Sequence, residues 1–262
     1  MHYAKKSLGQ NYLTDFNIIK KIIKLTNIYN KNILEIGPGK GALTDQILKY
    51  EPKSLTLIEK DDNLSKELRL KYANNKKIII YNKDVLKFDF EKRLKKNSII
   101  FGNLPYNISS QILVKIIKFK KWPPKYSDVI FMFQKELAQR VIGKFHTSKY
   151  GRLSILTNYR LKTLNKFNIS PNCFFPKPKV DSTVIYFKPN RKIFRNIKNL
   201  ENLEKITHAL FSNKRKMINK AISKLFKNPE ILSKKLNINL SLRPDQLSEN
   251  DYYRIVEYYE KI

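Results

Sequence analysis

The sequence predicts an α/β protein: a doubly wound, mostly parallel sheet with an antiparallel edge strand, followed by a small all-α domain. Three observations carry that prediction. Strand-length apolar runs alternate with helical periodicity through the first half of the chain. The first of these runs opens directly into a glycine-rich turn and a helix. From about Pro189 the apolar spacing is helical and stays so, which sets the expected domains at residues 1–189 and 190–262.

The first run, Asn32-Ile33-Leu34-Glu35-Ile36, leads into Gly37-Pro38-Gly39-Lys40-Gly41, and residues 42–50 read as the following helix. Glycine there lets the backbone pass close to a ligand. The spacing is not the dinucleotide fingerprint, because the third glycine comes one residue early, and the G-K-[ST] ending of a phosphate loop is missing. Such a turn cradles a carboxylate or ribose as well as a pyrophosphate, and a plain tight turn looks the same. The second run, Ser54-Leu55-Thr56-Leu57-Ile58, ends in Glu59, 22 residues after Gly37. That is close to the ~20 expected of an acid gripping ribose hydroxyls, so Glu59 is the candidate ribose ligand. The third run, Lys77-Ile78-Ile79-Ile80-Tyr81, leads to Asp84, placed to accept from the amino group of a cofactor's adenine; a turn aspartate is the competing reading. The fourth, Ser98-Ile99-Ile100-Phe101, delivers Asn103-Leu104-Pro105-Tyr106. All four sites fall on the carboxyl edge of the sheet, where doubly wound folds place ligands.

The tetrapeptide addresses a specific chemical problem. The lone pair of an adenine amine is delocalised into its ring and makes a poor nucleophile. Pro105 has no N–H and biases Leu104 away from the helical region, so the Leu104 carbonyl turns outward as an acceptor. The Asn103 side-chain oxygen is a second acceptor. Tyr106 offers a stacking face worth roughly 1–3 kcal/mol to a base. Two acceptors on the two amine protons draw nitrogen toward a tetrahedral, nucleophilic geometry. Placement and charge stabilisation then carry most of the catalysis, with no strong general base. The chemistry indicated is methylation of a flat exocyclic amine, adenine N6 above all. An ordinary Asn-x-Pro turn reads the same in isolation; the position after the fourth strand decides for the site.

Further on, residues 109–118 are helical in period until Trp122-Pro123-Pro124 breaks the pattern. Residues 128–133 read as a fifth strand and 135–142 as a helix. The aperiodic stretch 145–152 reads as an exposed substrate-side loop in which Lys149 and Arg152 meet phosphate. Strands at 153–161 and 181–187 are expected to close the sheet as its antiparallel edge. Candidate helices follow at 203–211, 215–225, 229–236 and 251–259.

Composition narrows the partner and compartment. In 262 residues, 53 Lys and Arg face 22 Asp and Glu, a net +31 at pH 7. Such a field favours phosphate backbones and salt-sensitive association. Part of the excess is the signature of an AT-rich genome, with 43 Lys to 10 Arg. No amphipathic stretch combines a clean apolar face with this charge, so the expected partner is nucleic acid and not membrane. The start, Met1-His2-Tyr3-Ala4-Lys5-Lys6, lacks the apolar core of a signal peptide, and no run approaches the ~18 apolar residues of a membrane span, so a cytoplasmic protein is expected. One cysteine, Cys173, excludes an internal disulfide, and His2, His146 and His208 are too scattered for a metal site, so the expected mechanism is metal-free.

These residues resemble the KsgA family of small-subunit (16S) ribosomal RNA adenine N6 dimethyltransferases, nearly end to end. Leu8-Gly9-Gln10-Asn11-Tyr12-Leu13 is similar to the family's G-Q-N-F-L segment, with Tyr12 in place of phenylalanine. Phe174-Phe175-Pro176-Lys177-Pro178-Lys179-Val180-Asp181-Ser182 is similar to its F-x-P-x-P-K-V-D-S element. Leu210-Phe211-Ser212-Asn213-Lys214-Arg215-Lys216 resembles the basic helix start that the family presents to RNA, with a solvated basic face as the alternative. Arg243-Pro244-Asp245-Gln246-Leu247 matches its R-P-E-x-L turn, for which a plain helix-entry turn is preferred.

The resemblance implies a Rossmann-like methyltransferase sheet using S-adenosyl-L-methionine. Asn11 and Leu13 would border the cofactor pocket, Gly37 and Gly39 its methionine side, Glu59 the ribose and Asp84 the adenine, with Asn103 joining cofactor and target. Phe174, or Phe175 beside it, would sandwich the target base against Tyr106; a core aromatic beside a Pro-rich loop is the competing account. Lys214, Arg215 and Lys216 would meet RNA. The implied reaction is dimethylation of two adjacent adenosines in the 3′-terminal hairpin loop of 16S rRNA, within the pre-30S subunit, by a monomer. Such a loop costs little to open. Two other functions compete: an Erm-type enzyme on large-subunit (23S) rRNA, whose family tends to have Asn-Ile-Pro-Tyr where Leu104 stands here, and a non-catalytic assembly or transcription factor on the same fold.

Overall fold

The computed structural model describes residues 10–191 and 196–262, so Leu8 and Gly9 of the opening motif, together with the Met1-to-Lys6 start and its His2, fall outside the described residues. In chain order the elements are β1 (Tyr12–Leu13), α1 (Phe16–Ile23), β2 (Asn32–Ile36), α2 (Ala42–Leu48), β3 (Ser54–Glu59), α3 (Asp62–Lys71), β4 (Ile78–Asn82), α4 (Phe90–Arg93), β5 (Ser98–Asn103), α5 (Ser109–Ile117), β6 (Tyr126–Gln134) and α6 (Lys135–Val141). There follow α7 (Arg152–Arg160), β7 (Leu161–Ile169), β8 (Phe174–Phe175), β9 (Ser182–Pro189), α8 (Leu200–Phe211), α9 (Asn219–Leu225), α10 (Pro229–Leu236) and α11 (Glu249–Tyr259).

Seven strands form one sheet in the order β4-β3-β2-β5-β6-β9-β7. β2 pairs in parallel with β3 and with β5, β3 with β4, and β5 with β6, whereas β9 runs antiparallel to both β6 and β7. The antiparallel strand therefore lies one place in from the edge. The edge itself is β7, which carries Lys162 and Lys166 and a register shift between Thr163 and Asn165, two devices that discourage further strand addition. The central strands read as continuous apolar runs because helices cover both faces. Ile33, Leu55, Leu57, Ile99 and Phe101 belong to one core cluster with Ile19, Ile22 and Ile23 of α1 and Ile47 of α2. The α1 helix starts on Asp15, whose carboxylate accepts from Asn17 N (2.9 Å) and Ile18 N (3.0 Å), as an N-cap does.

The chain divides into two compact units, Met1–Ala138 with Leu161–Pro189, and Gln139–Arg160 with Asn190–Ile262. Residues 139–160 thus group with the C-terminal helices and not with the sheet. The strand expected at 153–161 is instead the helix α7, and the strand that completes the sheet is β7, beginning where that stretch ends. Nearly every residue of α7 from Ser154 onward is buried, so the polar face that betrays a helical period is missing. Ser154 Oγ accepts from Gly151 N (3.1 Å) at its start, and Thr157 Oγ1 donates to the Leu153 carbonyl (2.7 Å) inside it.

Candidate cofactor and base site

After β2 the chain turns through Gly37 and Gly39, at φ of 67° and 57°. Space demands glycine as well as conformation: a Cβ on Gly37 would stand 3.2 Å from the Asn103 carbonyl oxygen, and one on Gly39 2.8 Å from the Tyr12 ring. The turn is pinned by Gly37 N donating to the Ile58 carbonyl (3.0 Å) and Gly41 N to that of Pro38 (2.9 Å). On its far side Asp45 of α2 accepts from Tyr72 OH (2.7 Å) and Lys71 Nζ (2.6 Å). The sheet order reverses at β2, between β3 and β5, which puts the turn at the point where such folds bind ligands.

Glu59, the last residue of β3, is buried. Its Oε2 accepts from Gly39 N (3.2 Å) and its Oε1 from Asp61 N (2.9 Å). Burial raises its pKa against the lowering effect of those two bonds. Asp61 caps α3 through Asn63 N (2.9 Å) and also accepts from Gln10 Nε2 (3.1 Å), while Gln10 Oε1 accepts from Tyr12 OH (2.7 Å). Burial, reinforced by the charges of Glu59 and Asp61, pushes the Tyr12 phenol up to about 12, so it remains a donor.

Asn103 ends β5, and its Nδ2 donates to the Asn11 carbonyl at 3.0 Å. That bond leaves Oδ1 as the acceptor. Leu104 is buried, and its carbonyl has no hydrogen-bond partner among the described residues. The next turn closes through Ile108 N to the Pro105 carbonyl (3.1 Å) and Ser109 Oγ to that of Tyr106 (3.2 Å), feeding α5. Tyr106 is half-buried, its hydroxyl lies 2.6 Å from Ser182 Oγ, and burial raises its pKa.

Asn11, Gly37, Gly39, Glu59, Asn103, Leu104 and Tyr106 all line one cleft that is open to solvent. Asp84 sits between two lining residues, Lys83 and Val85, but its carboxylate is engaged locally: Oδ1 accepts from Leu86 N (2.8 Å) and Oδ2 from Lys60 Nζ (2.8 Å), which holds its pKa low. Leu13 does not line this cleft. It lines a smaller cavity that also touches Tyr12, Gly37 and Asn103, together with the buried Glu35, whose carboxyl is pushed up to about 8 by burial while accepting from Thr44 Oγ1 (2.7 Å).

Phe174 is not an open stacking platform in this structure. It is 4% exposed and belongs to the sheet's core cluster, paired in register with Leu13. Its neighbour Phe175, in register with Tyr12, is 68% exposed. Strand alternation explains the pair, since adjacent side chains point to opposite faces.

Lys149 and Arg152 lie just before and at the start of α7, and Lys214, Arg215 and Lys216 lie in the turn after α8, three residues ahead of α9 and not within it. A Cβ on Gly151 would be 3.8 Å from the Phe211 ring, so Gly151 lies beside the end of α8, and both basic segments belong to the same unit. Tyr150 OH donates to the Leu247 carbonyl (3.0 Å), and Lys214 Nζ stands 3.8 Å from Asp245 Oδ2. Arg243 to Gln246 form a helix-entry turn, with Arg243 N donating to Gln246 Oε1 (2.7 Å).

The sequence alone assigns no role to Gln10, Lys60, Asp61 or Ser182. Asp61 carried a signal, an aspartate just ahead of an amphipathic helix; the others are recognisable only once distant segments meet. Among the described residues no three His, Cys, Asp or Glu gather as a metal would need, and no helix is long and apolar enough to cross a membrane.

The cleft brings together a buried carboxylate, aromatic side chains and a glycine turn beside an amide. Residues 1–261 match the family described as ribosomal RNA adenine dimethylase. Over 99% of the chain and 98% of the relative, it is 44% identical to the ribosomal RNA small subunit methyltransferase A of Pelagibacter ubique, and it is 39% identical to that of Malacoplasma penetrans over 97% and 91%. A crystal structure of a dimethyladenosine transferase from Plasmodium falciparum superposes with a TM-score of 0.80 at 26% identity, covering 95% of this chain and 97% of that one. The 23S rRNA methyltransferase ErmE shares the fold at a TM-score of 0.68 and 22% identity, over 95% and 99%. The chain therefore belongs to the ribosomal RNA adenine dimethylase family.

Proposed function

We propose that the protein dimethylates N6 of two adjacent adenosines in the 3′-terminal hairpin loop of 16S rRNA, within the pre-30S subunit, late in small-subunit assembly. The observation that carries this reading is the opening of Asn103-Leu104-Pro105-Tyr106 onto the same cleft as Glu59 and Gly39. The residues present suit S-adenosyl-L-methionine: Glu59 for the ribose, the Gly37–Gly39 turn and Asn11 for the methionine end, and the Asp84 region for the adenine. Bound there, that cofactor supplies an activated methyl group on a sulfonium.

The chain's own work is placement. The Asn103 amide oxygen and the Leu104 carbonyl accept from the target amine and turn its lone pair out of conjugation. Both are fixed before substrate arrives, Asn103 by the Asn11 carbonyl and Leu104 by its buried side chain. Tyr106 takes one face of the base, and an aromatic of the Phe174-Phe175 pair the other. Lys149, Arg152 and Lys214 to Lys216 form a basic surface on the helical unit suited to RNA phosphate. The enzyme works as a cytoplasmic monomer.

Mapping dimethyladenosine on rRNA from cells with and without the gene tests the target. The expected result is loss of the modification from the 16S hairpin loop alone; loss from 23S rRNA would overturn the reading. Asn103→Ala is expected to abolish methyl transfer to undermethylated 30S subunits with RNA binding retained.

A further inference from the structure

Tyr106 stands in residues 104–108, a stretch outside every helix and strand, yet a stacking platform has to hold one orientation. Its hydroxyl meets Ser182 Oγ at 2.6 Å.

Ser182 is well suited to be the fixed end of that contact. It is fully buried and is the first residue of β9, where it pairs with Gln134 of β6 on one side and Ile169 of β7 on the other. Its predecessor Asp181 is anchored as well: its carboxylate meets Lys135 Nζ at 2.8 Å, and its carbonyl accepts from Lys135 N at 2.9 Å. The serine thus sits on a strand clamped from both sides and reaches out to a loop. Burial keeps the Tyr106 phenol protonated, so the bond persists across the neutral range. Ser182 is not among the cleft's lining residues, so any effect on substrate passes through the tyrosine.

We propose that Ser182 is a positioning residue for methyl transfer: it holds the Tyr106 ring at the angle a flat base requires. The inference rests on the reading, made above, that Tyr106 stacks on the target adenine. Removing the bond leaves the ring in place but free among rotamers, which lowers turnover on RNA and leaves the cofactor untouched.

Four variants test it, with kcat and KM measured on undermethylated 30S subunits and cofactor affinity measured separately by calorimetry. Ser182→Ala is expected to lower kcat/KM for RNA about three- to tenfold, the range a single hydrogen bond supplies, with cofactor affinity unchanged. Tyr106→Phe removes the other half of the bond without touching β9, so it is expected to show the same loss even if Ser182→Ala folds poorly. The double variant is expected to be no worse than either single one. Full activity in both Tyr106→Phe and Ser182→Ala, with activity lost in Tyr106→Ala, would overturn the positioning role while leaving the stacking reading intact. Full activity in Tyr106→Ala would overturn both. Additive losses in the double variant would also overturn it, because two independent roles multiply.

Discussion

The backbone N–H of Gly39 donates to Glu59 Oε2 at 3.2 Å, so the glycine turn after β2 and the acid at the end of β3 form one unit before any ligand arrives. The other oxygen of the same carboxylate holds Asp61 N at 2.9 Å. Glu59→Gln keeps the shape but turns an NH2 toward one of these two donors. The lost bond is expected to cost about 1–3 kcal/mol, or roughly five- to 150-fold in S-adenosylmethionine affinity by calorimetry. Undiminished affinity would remove Glu59 from the cofactor site.

The aromatic pair at β8 separates by stability. Phe174→Ala empties a core position and is expected to destabilise the protein by about 3–5 kcal/mol in denaturant melts. Phe175→Ala changes an exposed ring and is expected to leave the melt within about 0.5 kcal/mol of wild type. Single-turnover rates on 30S subunits then test the exposed ring: a rate loss in Phe175→Ala at full stability assigns the base contact to Phe175, and a normal rate there removes Phe175 from the site.

The basic segments of the helical unit are testable through salt. If Arg215 and Lys216 each meet a phosphate, replacing either with alanine should weaken binding to a 16S rRNA fragment without changing sequence preference. The slope of log affinity against log salt should flatten by about 0.7–0.9 per residue removed. An unchanged slope would make them a solvated face only.

Glu35 gives the fold a pH dependence with a definite sign. Its folded pKa is about 8 against an ordinary 4.5, because burial disfavours the charged form. Between those values the folded chain binds more protons than the unfolded one, so stability falls as pH rises through that window and levels off above it. Glu35→Gln stays neutral throughout. The wild-type melting temperature, taken relative to this variant, should therefore drop between about pH 5 and about pH 8.5, by roughly 2–4 °C per kcal/mol. A constant difference across that range would mean that Glu35 does not titrate there.

The first five strands of the large sheet are legible in the sequence because each is a compact apolar run, and Glu59 and Asn103 stand out as candidates because each lies where one of those strands stops. What was hidden has physical causes. α7 is buried almost all round and so lost its helical period. β7 carries a register shift after Thr163 that breaks the alternation of a strand. The assignment of Phe174 rested on its place in a motif, and which of two adjacent rings faces outward is decided by the pairing of β8 with β1, a partner 161 residues away between Leu13 and Phe174. Ser182 was seen as the end of a motif; its tie to Tyr106 crosses 76 residues of chain.

Residues 139–160 leave the sheet unit and the chain returns to it at Leu161 before departing again at Asn190. Three covalent passages therefore join the halves. No single protease cut can release the helical unit intact, and a gene shortened to its first 189 codons would encode a sheet carrying α7 without the helices it packs among. Independent expression of the sheet unit calls for a circularly permuted gene or a linker from Ala138 to Leu161 long enough to run the length of β9, because Gln134 pairs with Ser182 and Leu161 with Pro189.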